Sequence, residues 1–204
     1  MARIDDYINA KKISVEKLLK GSFDKIALQS EFETKKGNLL IIPFLNRIYN
    51  VSYPDFNFED EKEKDFEVPI QEQVLILHYL MSESISKLSG RWVAYREIQG
   101  ASFYFSAFVK RAIDPLKKVF GNNAEGLIKA AKYLDGMSIE PGDAAFEFKV
   151  FPRVPVQLIL WQGDNEFPPE ANILFDQITG EILSPEDIAW LAGMLVYRLI
   201  ALSR

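Results

Sequence analysis

From Ile188 to Leu202 every residue is apolar, aromatic or glycine except Arg198. No other stretch limits the fold as much. As a helix these 15 residues span about 22 Å at roughly 1.5 Å per residue, enough to cross a small domain. Ile188, Leu191, Leu195, Leu199 and Leu202 form one stripe, and Trp190, Met194 and Tyr197 form a second. A helix striped twice needs cover on more than one side, so the chain must build a layered core around it. Membrane spanning is disfavoured, because a bilayer needs about 20 apolar residues and Arg198 interrupts the run. The start of the helix is also marked. Ser184 is a capping residue, Pro185 takes the first helical position, and Glu186-Asp187 follow in a near-complete capping box. Arg198 keeps its charge and needs accommodation. Either a carboxylate meets it, with Asp164, Glu166 and Glu97 as candidates, or its stem covers apolar surface and its head reaches water.

The remaining chain switches between helical and strand periods. Ile4 to Leu19 has a rough apolar helical face and stops at Gly21. Ile26, Leu28 and Phe32 then alternate with polar residues. Lys36-Gly37-Asn38 signals a turn, Leu39 to Leu45 is an apolar run, Asn46-Arg47 turns again, and Tyr49, Val51 and Tyr53 alternate. These features predict a three-stranded antiparallel meander with Pro43 at an edge or bulge. Glu59 to Asp65 is the only charge run, read as a solvated connection before a helix. That helix opens at Pro69, and its stripe of Ile70, Val74, Leu77, Met81, Ile85 and Leu88 predicts a run to Gly90. Trp92 to Ile98 reads as a strand, Phe103 to Phe120 as a helix kinked or bounded at Pro115, and Ala124 to Leu134 as another helix. Phe146, Phe148 and Val150 alternate, Phe151 to Pro155 turns the chain, and Val156 to Trp161 is an apolar strand: a hairpin. Asn172 to Phe175 reads as a further strand. The expected class is therefore α+β, with an antiparallel sheet made of an N-terminal meander and a C-terminal hairpin, packed with about five helices in a single globular domain over residues 1–204.

Charge and cysteine narrow the functions. The net charge is −5, and the basic clusters are only pairs, such as Lys117-Lys118. An acidic chain gains little counterion release from nucleic acid, so no nucleic-acid partner is expected. Cysteine is absent, which removes thiol nucleophiles, disulfides and cysteine-held metal clusters from this chain. The ends carry no targeting signal, and a reducing, cytoplasmic setting without membrane attachment is expected. There is no GxGxxG, no Walker-type loop and no GxSxG elbow.

Three places could carry chemistry. In the Gly163–Glu170 loop, Asp164 and Glu166 are two residues apart. Paired carboxylates bind hard cations or divide into acid and base; an acidic turn also commonly caps its own backbone. His78 is the single histidine, beside the stripe of its helix. It fits a general base or an axial ligand, and equally a half-buried side chain bonded to a carbonyl. Arg96-Glu97 at a strand end would point to opposite faces, one to a pocket and one to solvent. Asp164, Glu166, Arg96 and His78 are the candidate ligand-binding set. No protein metal site, catalytic residue or cofactor is assigned.

Several stretches together resemble one prokaryotic family. They are Ile76-Leu77-His78-Tyr79-Leu80, Tyr95-Arg96-Glu97-Ile98 with Gly100-Ala101-Ser102-Phe103, and Phe151-Pro152-Arg153-Val154-Pro155. Trp161-Gln162-Gly163-Asp164 with Glu166-Phe167-Pro168, and Ile173-Leu174-Phe175-Asp176 with Glu186-Asp187-Ile188, complete the set. The chain resembles the family catalogued as domain of unknown function three-seven-eight-six, from about Ile70 to the C-terminus. The resemblance implies no assigned activity. Some longer members resemble iron–sulfur proteins through a separate cysteine-rich module, and this chain contains no cysteine. The expected function is a cytoplasmic ligand-binding or accessory module beside redox or one-carbon proteins, the partner class following from the fused modules alone. The alternatives are a carboxylate-dependent hydrolase or lyase using Asp164 and Glu166, with Arg96 holding an anion and His78 as base, and a structural partner subunit.

Overall fold

The computed structural model describes residues Ile4–Arg204. They divide into two compact units. One holds the described residues up to Ile85 together with Glu181–Leu183, and the other holds Ser86–Gly180 with Ser184–Arg204. The class is α+β, and its strands form two antiparallel sheets of four and five strands.

The first unit opens with α1 (Ile4–Leu18) and α2 (Phe23–Ser30). The second of these corrects the sequence reading, which placed a strand here. Ser22 is an N-cap whose Oγ accepts the Lys25 N–H at 3.3 Å, and Ile26 and Ser30, four apart, are the buried pair. Leu28, the middle member of the apparent alternation, is 81% exposed. A capped start and an i, i+4 buried pair outweigh three alternating apolar residues. The helix ends at Glu31 in the left-handed region, φ 60°.

The meander follows as β1 (Glu33–Lys35), β2 (Leu39–Phe44), β3 (Arg47–Ser52) and β4 (Phe58–Asp60), paired in chain order. It has four strands: β2 and β3 are two of the three expected, the first expected strand is α2 instead, and β1 and β4 are additional. Pro43 lies opposite Ile48, beyond the reach of β1, which pairs only Leu39 to Ile41. Its missing N–H therefore costs no bond to β1. The charge run divides: Glu59 and Asp60 belong to β4, and only the following residues are a solvated connection. Asp60 is 3% exposed. It pairs with Arg47 at 2.8 Å and caps the N–H groups of Lys62 and Glu63, while the Arg47 guanidinium covers the Phe66 ring.

The next helix, α3 (Ile70–Leu80), is shorter than its stripe predicts. Ile85 is 83% exposed and Leu88 is also exposed. Serines at 82, 84, 86 and 89 explain the stop, since their hydroxyls compete for backbone groups and lower helix stability. Within the helix Val74, Leu75, Ile76 and Leu77 are all buried, so it is a core helix rather than an amphipathic one.

In the second unit β5 (Trp92–Ala94) is short, and Tyr95–Glu97 form a 3-10 turn where a strand was expected. Glu97 folds back to accept the Ala94 N–H at 2.7 Å, which closes that turn. Next come α4 (Phe105–Phe108), a π-helical segment Val109–Ile113 and α5 (Asp114–Phe120). The wide turn directly precedes Pro115, whose ring would collide with the carbonyl four residues back in a regular helix. Then α6 (Ala124–Lys132) leads to β6 (Met137–Ser138), β7 (Ala144–Phe151), β8 (Val154–Trp161) and β9 (Glu170–Asp176). The sheet order is β5-β9-β8-β7-β6, and β7–β8 is the expected hairpin.

A short α7 (Thr179–Ile182) precedes α8 (Pro185–Leu202). The cap forms as read: the Ser184 hydroxyl accepts the Asp187 N–H and donates to its carboxylate. Ile188, Leu191, Leu195 and Leu199 are fully buried. The second stripe is less covered than expected, with Trp190 and Met194 half-buried and Tyr197 57% exposed. Arg198 is half-buried.

Candidate functional site

The Gly163 loop is a self-contained turn. Asp164 Oδ1 accepts the N–H groups of Glu166 at 2.8 Å and Phe167 at 2.7 Å, and the Asp164 N–H returns to the Phe167 carbonyl. Those two backbone donors hold the Asp164 carboxyl below the usual aspartate range. A Cβ on Gly163 would lie 2.7 Å from Pro169, so the loop is tightly folded on its own proline. Both carboxylates are exposed. Asp164 is thus occupied as a turn cap, and Glu166 is exposed.

Arg96 sits in the 3-10 turn after β5, exposed, with its guanidinium 3.6 Å over the Phe105 ring. No carboxylate lies within ion-pair distance of it among the described residues, so neither Asp164 nor Glu166 pairs with it. His78 is half-buried on α3 and belongs to the other unit. Among the described residues no three of His, Asp and Glu gather closely enough to hold a metal ion.

Sequence reading missed a cleft in the first unit. Its volume is about 420 Å³, and it lies among the end of α1, the start and middle of α2, and the end of α3. Leu18, Ile26, Leu80 and Met81 supply its apolar lining. The first three are at most 5% exposed, so they are core residues with one edge showing in the cleft. Lys17, Lys20 and Lys25 line the cleft as well, with Glu83 as its single carboxylate and Gln29 as a neutral polar group. All three lysines are exposed, and none has an ion-pair partner among the described residues. The bend at Gly21-Ser22 brings them together. Gly21 ends the α1 turn by donating to the Leu18 carbonyl at 3.0 Å, and its own carbonyl accepts the Tyr53 hydroxyl at 3.2 Å. The sequence signal was Ser22 with a lysine three residues on, legible only once α2 is known to be a helix.

The architecture is an α+β protein with a small-molecule-sized basic cleft in its first unit. The chain matches the family described as Domain of unknown function (DUF3786) over residues 22–198, and it belongs to that family. The match begins well before the resemblance near Ile70. It takes in α2 and Lys25, whereas Lys17 and Lys20 precede it. No curated protein and no solved structure matches the chain. Among the described residues no helix is long and apolar enough to cross a membrane.

Proposed function

We propose that the chain is a small-molecule-binding accessory module and that the cleft beside α1, α2 and α3 is its binding site. The carrying observation is the cleft. Its volume of about 420 Å³ falls within the roughly 300–1,000 Å³ typical of ligand pockets, and it combines an apolar lining with a few polar groups. The Gly163 loop, with Asp164 committed to its own backbone, offers no comparable support for a hydrolase or lyase. A cytoplasmic place, inferred from the absence of cysteine, belongs to the same proposal.

The test is a thermal-shift screen of metabolite-sized compounds of every charge class on the full chain, repeated on Gln29→Trp to fill the cleft. A ligand at about 100 times its Kd stabilises the native state by about 2.7 kcal/mol, which is roughly 5–11 °C for a chain of this size. A shift in wild type that disappears in Gln29→Trp supports the proposal. Ligand shifts that survive the substitution, or none from any compound, overturn it.

A partner-subunit reading draws on one observation. Ile4, Ile8 and Ile13 on α1 are each more than half exposed, which places apolar surface on one helix. A native mass equal to one chain at micromolar concentration removes self-association from that reading.

A further inference from the structure

We infer that the ligand of this cleft is a small organic anion with an apolar body. A carboxylate or phosphate-ester head would lie among Lys17, Lys20 and Lys25, and an aliphatic or aromatic body would lie on Leu18, Ile26, Leu80 and Met81. The inference rests on the cleft being a binding site and adds the chemical class of what fills it.

The whole chain carries −5, yet the cleft sets three lysines against one glutamate. Lys17 and Lys20, at the carbonyl end of α1, have an ordinary reason to be there, since cations favour a helix C-terminus. Lys25 does not. It occupies the first turn of α2, where the helix dipole opposes a cation, and although Asp24 shares that turn, Lys25 forms no ion pair among the described residues. A bound anion would relieve that position and would serve all three ammonium groups at once.

The lining decides the rest of the ligand. An inorganic anion would use the lysines and leave the edges of Leu18, Ile26, Leu80 and Met81 in contact with water. A neutral apolar molecule would cover those edges and leave the lysines unused. Only a molecule with both parts uses both halves of the cleft. The cations are all lysines, which present compact point charges rather than the planar fork of arginine. Recognition is therefore of charge, and it suits a carboxylate or a phosphate ester alike. Glu83 opposes a second anionic group at its side of the rim, so a ligand with one anionic end fits better than a polyanion. The net negative charge of the chain acts against long polyanions in the same direction.

Methionine methyl resonances provide a local test on the full chain. Met81 lines the cleft, while Met137 and Met194 lie in the other unit and serve as controls. A Met81→Leu variant assigns the signal. Hexanoate, hexyl phosphate, 1-hexanol, hexylamine and inorganic phosphate are titrated separately. The expected result is a saturable Met81 shift with hexanoate or hexyl phosphate, and no shift at Met137 or Met194. Hexanol, hexylamine and inorganic phosphate should each bind at least about tenfold more weakly. The double substitution Lys17→Gln and Lys25→Gln changes only exposed side chains and should weaken the anionic probes about tenfold or more, leaving hexanol unchanged. Raised salt should weaken the anionic probes as well. If hexanol or hexylamine moves Met81 as effectively as the anions, the chemical class is wrong while the cleft stands as a site. If none of the probes moves Met81, both the class and the site fall.

Discussion

Asp176 ends β9 and is 1% exposed. Four donors converge on it: Oδ1 accepts the Ser89 N–H at 3.1 Å, the Ser89 hydroxyl at 2.7 Å and the Ile178 N–H at 3.1 Å, while Oδ2 accepts the Gly90 N–H at 2.8 Å. The carboxylate thereby ties the irregular segment before β5 to the end of its partner strand. Replacing Asp176 by Asn keeps the shape. Its oxygen can serve the Oδ1 donors, but its amide then faces the Gly90 N–H, donor against donor. One charge-assisted bond is lost, at about 1.5–3 kcal/mol, and the other three lose the charge, so the expected cost is about 2–4 kcal/mol. Trp92, Trp161 and Trp190 all lie in the unit that contains Asp176, so tryptophan fluorescence reports its unfolding. At a urea dependence of about 2 kcal/mol per molar, the midpoint should fall by roughly 1–2 M at neutral pH. The pH dependence has a definite sign. Four hydrogen bonds outweigh burial and hold the folded pKa below the ordinary value. The contribution is therefore complete above the unfolded pKa of about 3.9 and is lost as pH falls through the lower folded value. The gap between wild type and Asp176→Asn should narrow below about pH 4. An unchanged midpoint at neutral pH, or a gap that does not narrow in acid, refutes the reasoning.

Other perturbations follow from single contacts. Arg47→Met leaves the Asp60 carboxylate buried without its cation and should cost about 3–5 kcal/mol, seen as an earlier loss of far-ultraviolet circular dichroism in urea; a neutral result would mean that the turn N–H groups suffice. Gly142 has φ +73°, and a Cβ there would stand 2.6 Å from the Leu160 carbonyl oxygen. Gly142→Ala should therefore cost at least about 1–2 kcal/mol by thermal unfolding, and equal melting temperatures would show that the β7 entry yields instead. Asp164→Asn retains an acceptor for the loop N–H groups but loses the charge, so it should unfold slightly earlier than wild type, whereas Asp164→Ala should unfold clearly earlier than Asp164→Asn. Equal behaviour of the two variants would remove the turn-capping role.

Legibility depended on how local each signal was. The start of α8 was legible because Ser184, Pro185 and Asp187 act on one another within one turn. The β2–β3 hairpin was legible because two runs of strand character flank a turn signal, although the turn falls at Leu45-Asn46, one residue before the expected Asn46-Arg47. The end of α3 was misread because apolar spacing continued past the point where serines make the backbone fail. Ile85 keeps the register of the stripe and still lies in solvent. The Arg96-Glu97 pair was misread for the same kind of reason: the Glu97 side chain recovers the Ala94 N–H and turns the chain before a longer strand can form.

The cleft was hidden for a different reason. Lys17, Lys20 and Lys25 are ordinary surface lysines one at a time, spread over the end of α1, the turn after it and the first turn of α2, and their shared surface exists only because the chain reverses at Gly21-Ser22. The misreading of residues 26–33 as a strand erased that reversal, and with it the one anomaly that points to binding. A lysine in a strand flank is unremarked, whereas the same lysine three residues after an N-cap opposes the helix dipole. Asp164 shows the converse. Its spacing from Glu166 looks like paired acids in the sequence, and the fold spends that carboxylate on two backbone N–H groups. An acidic residue in a turn has local donors within reach and needs no ligand, while a cation in a first helical turn has no local acceptor. That asymmetry in available backbone partners is why the unpaired lysines, and not the conspicuous acids, are the better pointer to a ligand in this chain.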